Sequence, residues 1–456
     1  NSFVEIGGLV TARNTDFNLG DNATPADGVI TGYGVINGSL VYVYSQDATV
    51  LGGSIGEMHA RKIANLYDLA LKMGAPVIGL VDCAGLRLQE ATDALNGFGQ
   101  IYAKQVEASG VIPQITAVFG TCGGGMAVVP TLTDFTFMEE KSAKLFVNSP
   151  NALDGNYTSK LDTASAKFQS EEAGIVDVTG ETTVLEQIRQ LVALLPANNE
   201  DTAEDECTDD LNRVSDTIAN AVGDTSIALT ELADDNVFFE VKRNYAKDMV
   251  TGFIKLNGLT VGAVANRTVV YDDEMKETAK FDAVLSPEGC EKAAEFVNFC
   301  DSFNIPVLTL TNVKGYKATV CAEKHIAKAA AKLTYAFANA TVPKVNVVIG
   351  EAFGSAYVAM NSKSIGADMT FAWDSASIGM MDASMAAKIM YADKPEVISE
   401  KASEYAALQT SAVSAAKRGY VDSIIAPADT RKYVIGAFEM LYSKKEDRPS
   451  KKHGTV

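Results

Sequence analysis

The sequence predicts a layered α/β protein made of two similar units in tandem. Three observations carry that expectation. Apolar, β-branched runs alternate with amphipathic helical segments. The alternation recurs at a fixed offset along the chain. The 456 residues are enough for two cored units, about three times a common single-domain length.

The elements follow in order. ITGYGVINGSLVYVY (30–44) reads as two strands around Asn37-Gly38, a dipeptide suited to a tight hairpin. MHARKIANLYDLALKM (58–73) places apolar residues at helical spacing. APVIGLVD (75–82) and SGVIPQITAVFG (109–120) read as buried strands, and the second runs into the glycine cluster FGTCGGGM (119–126). TDFTFM then closes the first series of strands. The second series begins with VTGFIKLNGLTVGAV (250–264), again with Asn-Gly between two strand-like runs. Helical segments SPEGCEKAAEFVNFCDSF (286–303) and EKHIAKAAAKLTYAFANA (323–340) bracket the strand NIPVLTLTN, and ATVPKVNVVIG, EAFGSAYVAM and ADMTFAW complete the series. Pro76 and Pro306, Pro113 and Pro343, and Gly120 and Gly350 are each 230 residues apart, whereas Asp134 and Asp368 are 234 apart. One short insertion therefore follows the glycine motif. The acidic, turn-rich segment ANNEDTAEDECTDD (197–210), or the residues just after it, is the expected linker, with domains at 1–225 and 226–456.

Composition narrows the function classes. The chain is 47% hydrophobic and 21% charged, the balance of a globular protein. Its 39 Lys and Arg against 58 Asp and Glu leave a formal charge of -19, which excludes nucleic acid and anionic membrane as main partners. The six cysteines, Cys83, Cys122, Cys207, Cys290, Cys300 and Cys321, form no CxxC pair, and there are three histidines. No metal site and reduced cytoplasmic thiols are the reading. Residues 108–133 carry no charge, but Pro113, Pro130 and the glycines argue for strand, turn and helix rather than a membrane span. No secretory signal is visible, and the chain begins at Asn1 rather than Met, consistent with missing upstream residues.

FGTCGGGM has neither the GxGxxG spacing of a dinucleotide site nor the Lys of a P-loop. A plain packing turn is one explanation. The partner motif GEAFGSAY (350–357) supplies another, because both follow a strand and precede a helical stretch. The first amides of a helix lack intrahelical partners and carry the positive end of its dipole. Two such turns form two oxyanion holes, suited to a reaction in which two carbonyl oxygens gain negative charge.

Several long segments then carry a resemblance over nearly the whole chain. SQDATVLGGSIGEMHARKI (45–63), DCAGLRLQE (82–90), ASGVIPQITAVFGTCGGGMAVVPTLTDF (108–135), FCDSFNIPVLTL (299–310), AKLTYAFANATVPKV (331–345), EAFGSAYVAMNSKSIGADMTFAW (351–373) and GYVDSIIAPADTRK (419–432) resemble the carboxyltransferase subunit (β type) of biotin-dependent acyl-CoA carboxylases and decarboxylases. The resemblance implies two tandem crotonase-like (ββα-spiral) domains, the first on the acyl-CoA side and the second on the biotin side. It also implies a hexamer of two stacked trimeric rings, with each active site between domains of different subunits. Partners implied are a biotin carboxyl carrier protein with a biotin carboxylase, or a membrane sodium-pump decarboxylase subunit.

Carried over position by position, Gly124 and Gly125 offer amides to the acyl-CoA thioester, and Ser355 and Ala356 offer theirs to the biotin ureido carbonyl. Gly85, Gly123, Gly354 and Tyr357 flank the two holes as cofactor-binding positions. Val358 lines the acyl pocket and suits a small acyl chain, and Arg87, Lys62 and Lys328 are candidates for the CoA phosphates, with surface or interface charge as the simpler role. The implied reaction is carboxyl transfer between carboxybiotin and a short-chain acyl-CoA, or its reverse in a decarboxylase, with the enolate and ureido anions held by backbone amides.

Some positions depart from the family pattern. Asn312, Val313, Lys314, Gly315 and Tyr316 replace Asp-x-Pro-Gly-Phe, and Gly350 and Glu351 replace Arg-Lys. Ser355 replaces a glycine, and Ala164, Ser165, Ala166 and Gln169 replace a Gly-Gly-Ala motif and its following His. Ser355 opens a rival reading as a hydrolase nucleophile, with His59 or His325 as base. A non-catalytic hexameric scaffold is the other rival. Asp82 and Glu90 resemble a carboxylate pair, for which a strand-end turn and a helix cap are simpler accounts.

Overall fold

A computed structural model describes residues 2–272 and 274–451. Two compact units meet between Ala203 and Glu204, inside the acidic stretch 197–210 and ahead of the 225/226 division read from the sequence. Residues after 203 belong to the second unit for a physical reason. Ile218 and Ala221 are buried in its core with Val250 and Ile254, and the buried Arg431 donates to Asp210 O at 3.3 Å and to Asp234 Oδ1 at 2.7 Å.

The first unit contains eight strands: β1 (Val4–Ile6), β2 (Val29–Ile36), β3 (Ser39–Gln46), β4 (Val77–Cys83), β5 (Gln114–Gly123), β6 (Phe135–Glu139), β7 (Lys144–Phe146) and β8 (Val178–Gly180). They form one sheet in the order β1-β2-β3-β4-β5-β6-β8, with β7 added on β5. β2 and β3 are antiparallel, and Ile36 faces Ser39 across a two-residue turn. Asn37 (φ 48°) and Gly38 (φ 90°) both take positive φ, as a tight hairpin turn requires. The connections beyond β3 cross over through helices, so β3 to β6 pair in parallel. Helix Glu57–Met73 buries Ile63, Leu66, Tyr67 and Ala70, one face at helical spacing. They pack with Tyr44, Val77, Val81, Phe98 and Val118. The helix ends at Gly74 in the left-handed region (φ 59°).

The second unit repeats this plan. Its strands are β9 (Phe238–Val241), β10 (Met249–Leu256), β11 (Leu259–Asn266), β12 (Val269–Tyr271), β13 (Glu277–Lys280), β14 (Val307–Val313), β15 (Lys344–Phe353), β16 (Met369–Trp373), β17 (Ser377–Gly379) and β18 (Ser423–Ile425). The sheet order is β18-β16-β15-β14-β11-β10-β9, with β17 on β15, while β12 and β13 form a separate ribbon. The hairpin again turns on Asn257 (φ 51°) and Gly258 (φ 78°). Helix Pro287–Ser302 starts with Ser286 capping Gly289 N and Pro287 at its first turn.

The repeat holds at the level of strand register. Val77 pairs with Gln114, and Val307 with Lys344, both pairs shifted by 230. Each ladder then breaks at the same place. From Val81↔Val118 to Cys83↔Cys122, β4 advances two residues while β5 advances four. From Thr311↔Val348 to Val313↔Ala352, β14 and β15 do the same. Past this bulge the long strand changes neighbours: Thr121 pairs with Lys144 of β7, and Glu351 with Ser377 of β17. A bulge bends a strand and raises its twist, so the sheet turns a corner just before each glycine motif.

Candidate active site

Both glycine motifs emerge from that corner in the same conformation. Gly123 (φ -117°, ψ 156°) and Phe353 (φ -120°, ψ 141°) end the strands in extended geometry. The next residues, Gly124 and Gly354, both have φ +63°. A side chain is strained there, which explains glycine at both positions. Short helices follow, Gly124–Ala127 and Gly354–Ala359. Burial repeats as well: Gly124 and Gly354 are half-buried, Gly125 and Ser355 exposed, Met126 and Ala356 buried. By register, then, Gly125 corresponds to Ser355 and Met126 to Ala356. The amides of Gly124–Gly125 and Ser355–Ala356 thus stand one residue out of phase along the repeat.

A second loop is duplicated beside each turn. Ile55 N donates to Gly85 O and Arg87 N to Ile55 O, both at 2.9 Å; 230 residues on, Leu285 N donates to Gly315 O and Lys317 N to Leu285 O at the same distance. Gly85 has φ +107°, and a Cβ there would meet only Gly123 O, at 3.9 Å. At Gly124 a Cβ would meet nothing within 4 Å. Gly123, by contrast, packs on the Phe146 ring, 2.8 Å from where a Cβ would sit. Tyr102, on helix Ala91–Ala108, donates its hydroxyl to Gly125 O and so fixes the first turn from outside. In the second unit a cavity of about 420 Å³ opens next to its turn, lined by Tyr357, Val358, Ile378, Met380, Tyr405 and Arg418 among others. Burial pushes the Tyr357 phenol up to about 12, so the wall is neutral there.

Among known families, the carboxyl transferase domain matches residues 1–456. The chain belongs to the carboxyl transferase family. This carboxyltransferase is 39% identical over 472 residues to the propionyl-CoA carboxylase β chain of Roseobacter denitrificans, covering 100% of this chain and 91% of that one. It is 37% identical over 484 residues to the methylmalonyl-CoA decarboxylase subunit α of Propionigenium modestum, covering 100% and 90%. Among solved structures, transcarboxylase 12S, a hexamer with hydrolysed methylmalonyl-coenzyme A bound, superposes with a TM-score of 0.92 at 36% identity, covering 100% of this chain and 90% of that one. The tandem crotonase-like fold and the acyl-CoA carboxyltransferase class agree with these matches.

Two residues assigned to substrate are turned inward. In the carboxyltransferase Arg87 is 1% exposed. Its guanidinium lies 2.6 Å from Asp27 Oδ1 and 2.8 Å from Glu90 Oε1, and donates to Ser54 O at 3.0 Å. Lys62 is likewise buried, donating to Ala26 O at 2.8 Å and to Val29 O. Its counterpart 230 residues on, Lys292, donates to Lys242 O, Tyr245 O and Met249 O. Burial lowers the pKa of Lys62 and brings that of Lys292 down to about 7. These lysines tie the loop ahead of each hairpin to the helix above it. Neither Arg87 nor Lys62 reaches a phosphate, because each spends its donors inside the fold.

The surroundings of Arg87 also locate Glu90 and His59. Glu90 Oε2 accepts from Glu57 N and Asp27 Oδ2 accepts from His59 N, so two remote carboxylates satisfy orphan amides at the start of helix Glu57–Met73. The wholly buried His59 ring donates from Nδ1 to Asp27 O at 2.9 Å and accepts at Nε2 from Gln46, 3.2 Å away. Burial, helped by the charges of Arg87 and Lys62, pushes it down to about 3. A neutral ring with both nitrogens engaged is no general base. Among the described residues no His, Asp or Glu side chain hydrogen-bonds the Ser355 hydroxyl. None forms a cluster of three or more potential metal ligands, and no helix is long and apolar enough to cross a membrane.

Proposed function

We propose that this carboxyltransferase moves a carboxyl group between carrier-borne biotin and a short-chain acyl-CoA. The observation that carries the reading is the duplicated turn, a left-handed glycine after a bulged strand followed by an exposed residue, at Gly124–Gly125 and again at Gly354–Ser355. Bound biotin supplies a ureido nitrogen that carries the carboxyl group. The amides of Gly124 and Gly125 hold the thioester oxygen as the acyl α-carbon becomes an enolate, and those of Ser355 and Ala356 hold the ureido oxygen. An oriented amide stabilises a developing oxyanion by about 2.7 to 4 kcal/mol, without an acidic or basic side chain at the reacting atoms. The open space at Gly124 and the apolar cavity beside Tyr357 and Val358 fit such groups. Val358 narrows that cavity to a small acyl chain. Register adds the Met126 amide as the counterpart of Ala356.

The P. modestum relative favours a second reading, in which the same chemistry removes a carboxyl group from a carboxyacyl-CoA within a decarboxylase. We also propose a hexamer, the assembly named for transcarboxylase 12S. The test is to mix the protein with free biotin and malonyl-, methylmalonyl- or glutaconyl-CoA and follow loss of the carboxylate by mass spectrometry. No biotin-dependent turnover with any of the three, beside a working related carboxyltransferase, refutes it. Co-purification with a biotin carboxylase selects the carboxylase direction, and with a membrane subunit the decarboxylase one.

A further inference from the structure

Each unit plugs its bulge with the same device. Where β5 runs two residues ahead of β4, the amide of Thr121 is left without a ladder partner and donates to Asp82 Oδ1 at 3.0 Å. In the second unit the amide of Glu351 donates to Asn312 Oδ1 at 2.9 Å. The residue before each amide is a glycine, and for one reason: a Cβ on Gly120 would lie 2.1 Å from Asp82 Oδ1, and one on Gly350 2.5 Å from Asn312 Oδ1. The acceptor is itself held in the second unit, where Asn312 N donates to Asn266 Oδ1 at 2.8 Å and Asn266 Nδ2 donates back to Asn312 O. Three residues downstream of each captured amide stands the left-handed glycine, Gly124 or Gly354.

We propose that Asp82 and Asn312 are paired positioning residues, one for each turn. Each fixes the backbone where the chain leaves the bulge, and so sets the direction of the amides of Gly124–Gly125 or Ser355–Ala356. This role rests on the carboxyl-transfer reading and deepens it. The chemical difference between the two acceptors follows their neighbours. A carboxylate faces Thr121 in the first unit, and a neutral amide faces Glu351 in the second. A carboxylate at 312 would put two negative side chains at one bulge, where like charges at short range oppose each other.

Amide hydrogen exchange read by mass spectrometry on peptides spanning 119–127 and 349–357, together with kcat, KM and melting temperature, tests this. Asp82→Ala is expected to speed exchange in the first peptide alone, and Asn312→Ala in the second alone. Each should lower kcat about 10- to 100-fold, the size of effect expected when reacting groups are misplaced by about 1 Å, with KM for the acyl-CoA within about threefold. Asp82→Asn keeps an acceptor oxygen and recovers most of that loss. Asn312→Asp lowers kcat, and Glu351→Thr restores it by transplanting the first unit's arrangement into the second. Unchanged exchange and kcat in the two Ala variants overturn the proposal, as does a kcat loss that tracks a fall in melting temperature with faster exchange throughout the unit. If an Ala variant fails to fold, the Asn312→Asp pair decides: equal kcat with and without Glu351→Thr overturns it. A wild-type protein that turns over no carboxyacyl-CoA refutes the proposed function, while the exchange data still decide the positioning role.

Discussion

Replacing Arg87 with Met separates a structural from a substrate-binding arginine. The side chain is 1% exposed and pairs with Asp27 and Glu90 at 2.6 and 2.8 Å. Both carboxylates are buried, and both cap helix Glu57–Met73 through their remaining oxygens. Methionine fills much of the volume but leaves two adjacent buried carboxylates without a counter-charge. Breaking a buried pair by removing one partner costs about 3 to 5 kcal/mol. In a unit of this size each kcal/mol moves the melting temperature by about 2 to 4 °C, so a fall of about 6 to 20 °C is expected. Calorimetry measures that fall, and steady-state kinetics well below the transition give KM for the acyl-CoA, expected within about twofold of wild type. An unchanged melting temperature with KM raised tenfold or more would refute the reasoning and return Arg87 to a CoA phosphate.

Three further outcomes are expected. Gly124→Ala adds a methyl group to open space, so its cost is the left-handed backbone alone, about 1 to 2 kcal/mol. If the turn relaxes instead, kcat falls about 10²- to 10³-fold at constant KM, and either effect is read by denaturant titration beside kinetics. Ser355→Ala keeps the amide and should hold kcat within about threefold, whereas Ser355→Pro removes the amide and should cost about 10²-fold or more. A hydrolase serine would fail in both, which an activity assay on the two variants shows. His59 stays neutral in the fold to about 3 against an ordinary value of 6.5. Between those pH values the unfolded chain binds a proton that the folded unit does not, so stability falls as pH drops, by up to about 1.4 kcal/mol per pH unit. Urea titrations from pH 7 to 4 should show a shallower loss for His59→Gln.

Much of the fold was legible because periodicity and turn chemistry are local. Asn37-Gly38 and Asn257-Gly258 announce their hairpins by the positive φ that each turn needs. Residues 204–225 were assigned to the wrong side of the boundary, because no local pattern records that Ile218 and Ala221 complete a core with strands far along the chain. The glycine turns were visible as a duplicated pattern. Lys62 and Arg87 were misread as substrate contacts, since charge alone suggests a phosphate when the carbonyls and carboxylates that absorb it are distant in sequence. Tyr102 carried no signal at all: its bond to Gly125 O depends on how its helix lies against the turn.

The amino-acid sequence by itself determined two tandem α/β units, the 230-residue repeat and the family. It also marked both glycine turns, since a missing side chain can be read directly from the letters. The tertiary structure alone decided which polar groups are spent inside. Asp82 and Asn312 differ in charge and sit in unlike local sequences, yet each captures the one amide its bulge leaves over. That equivalence exists only once the two strands lie side by side, because the unpaired amide is a property of their register and not of either strand.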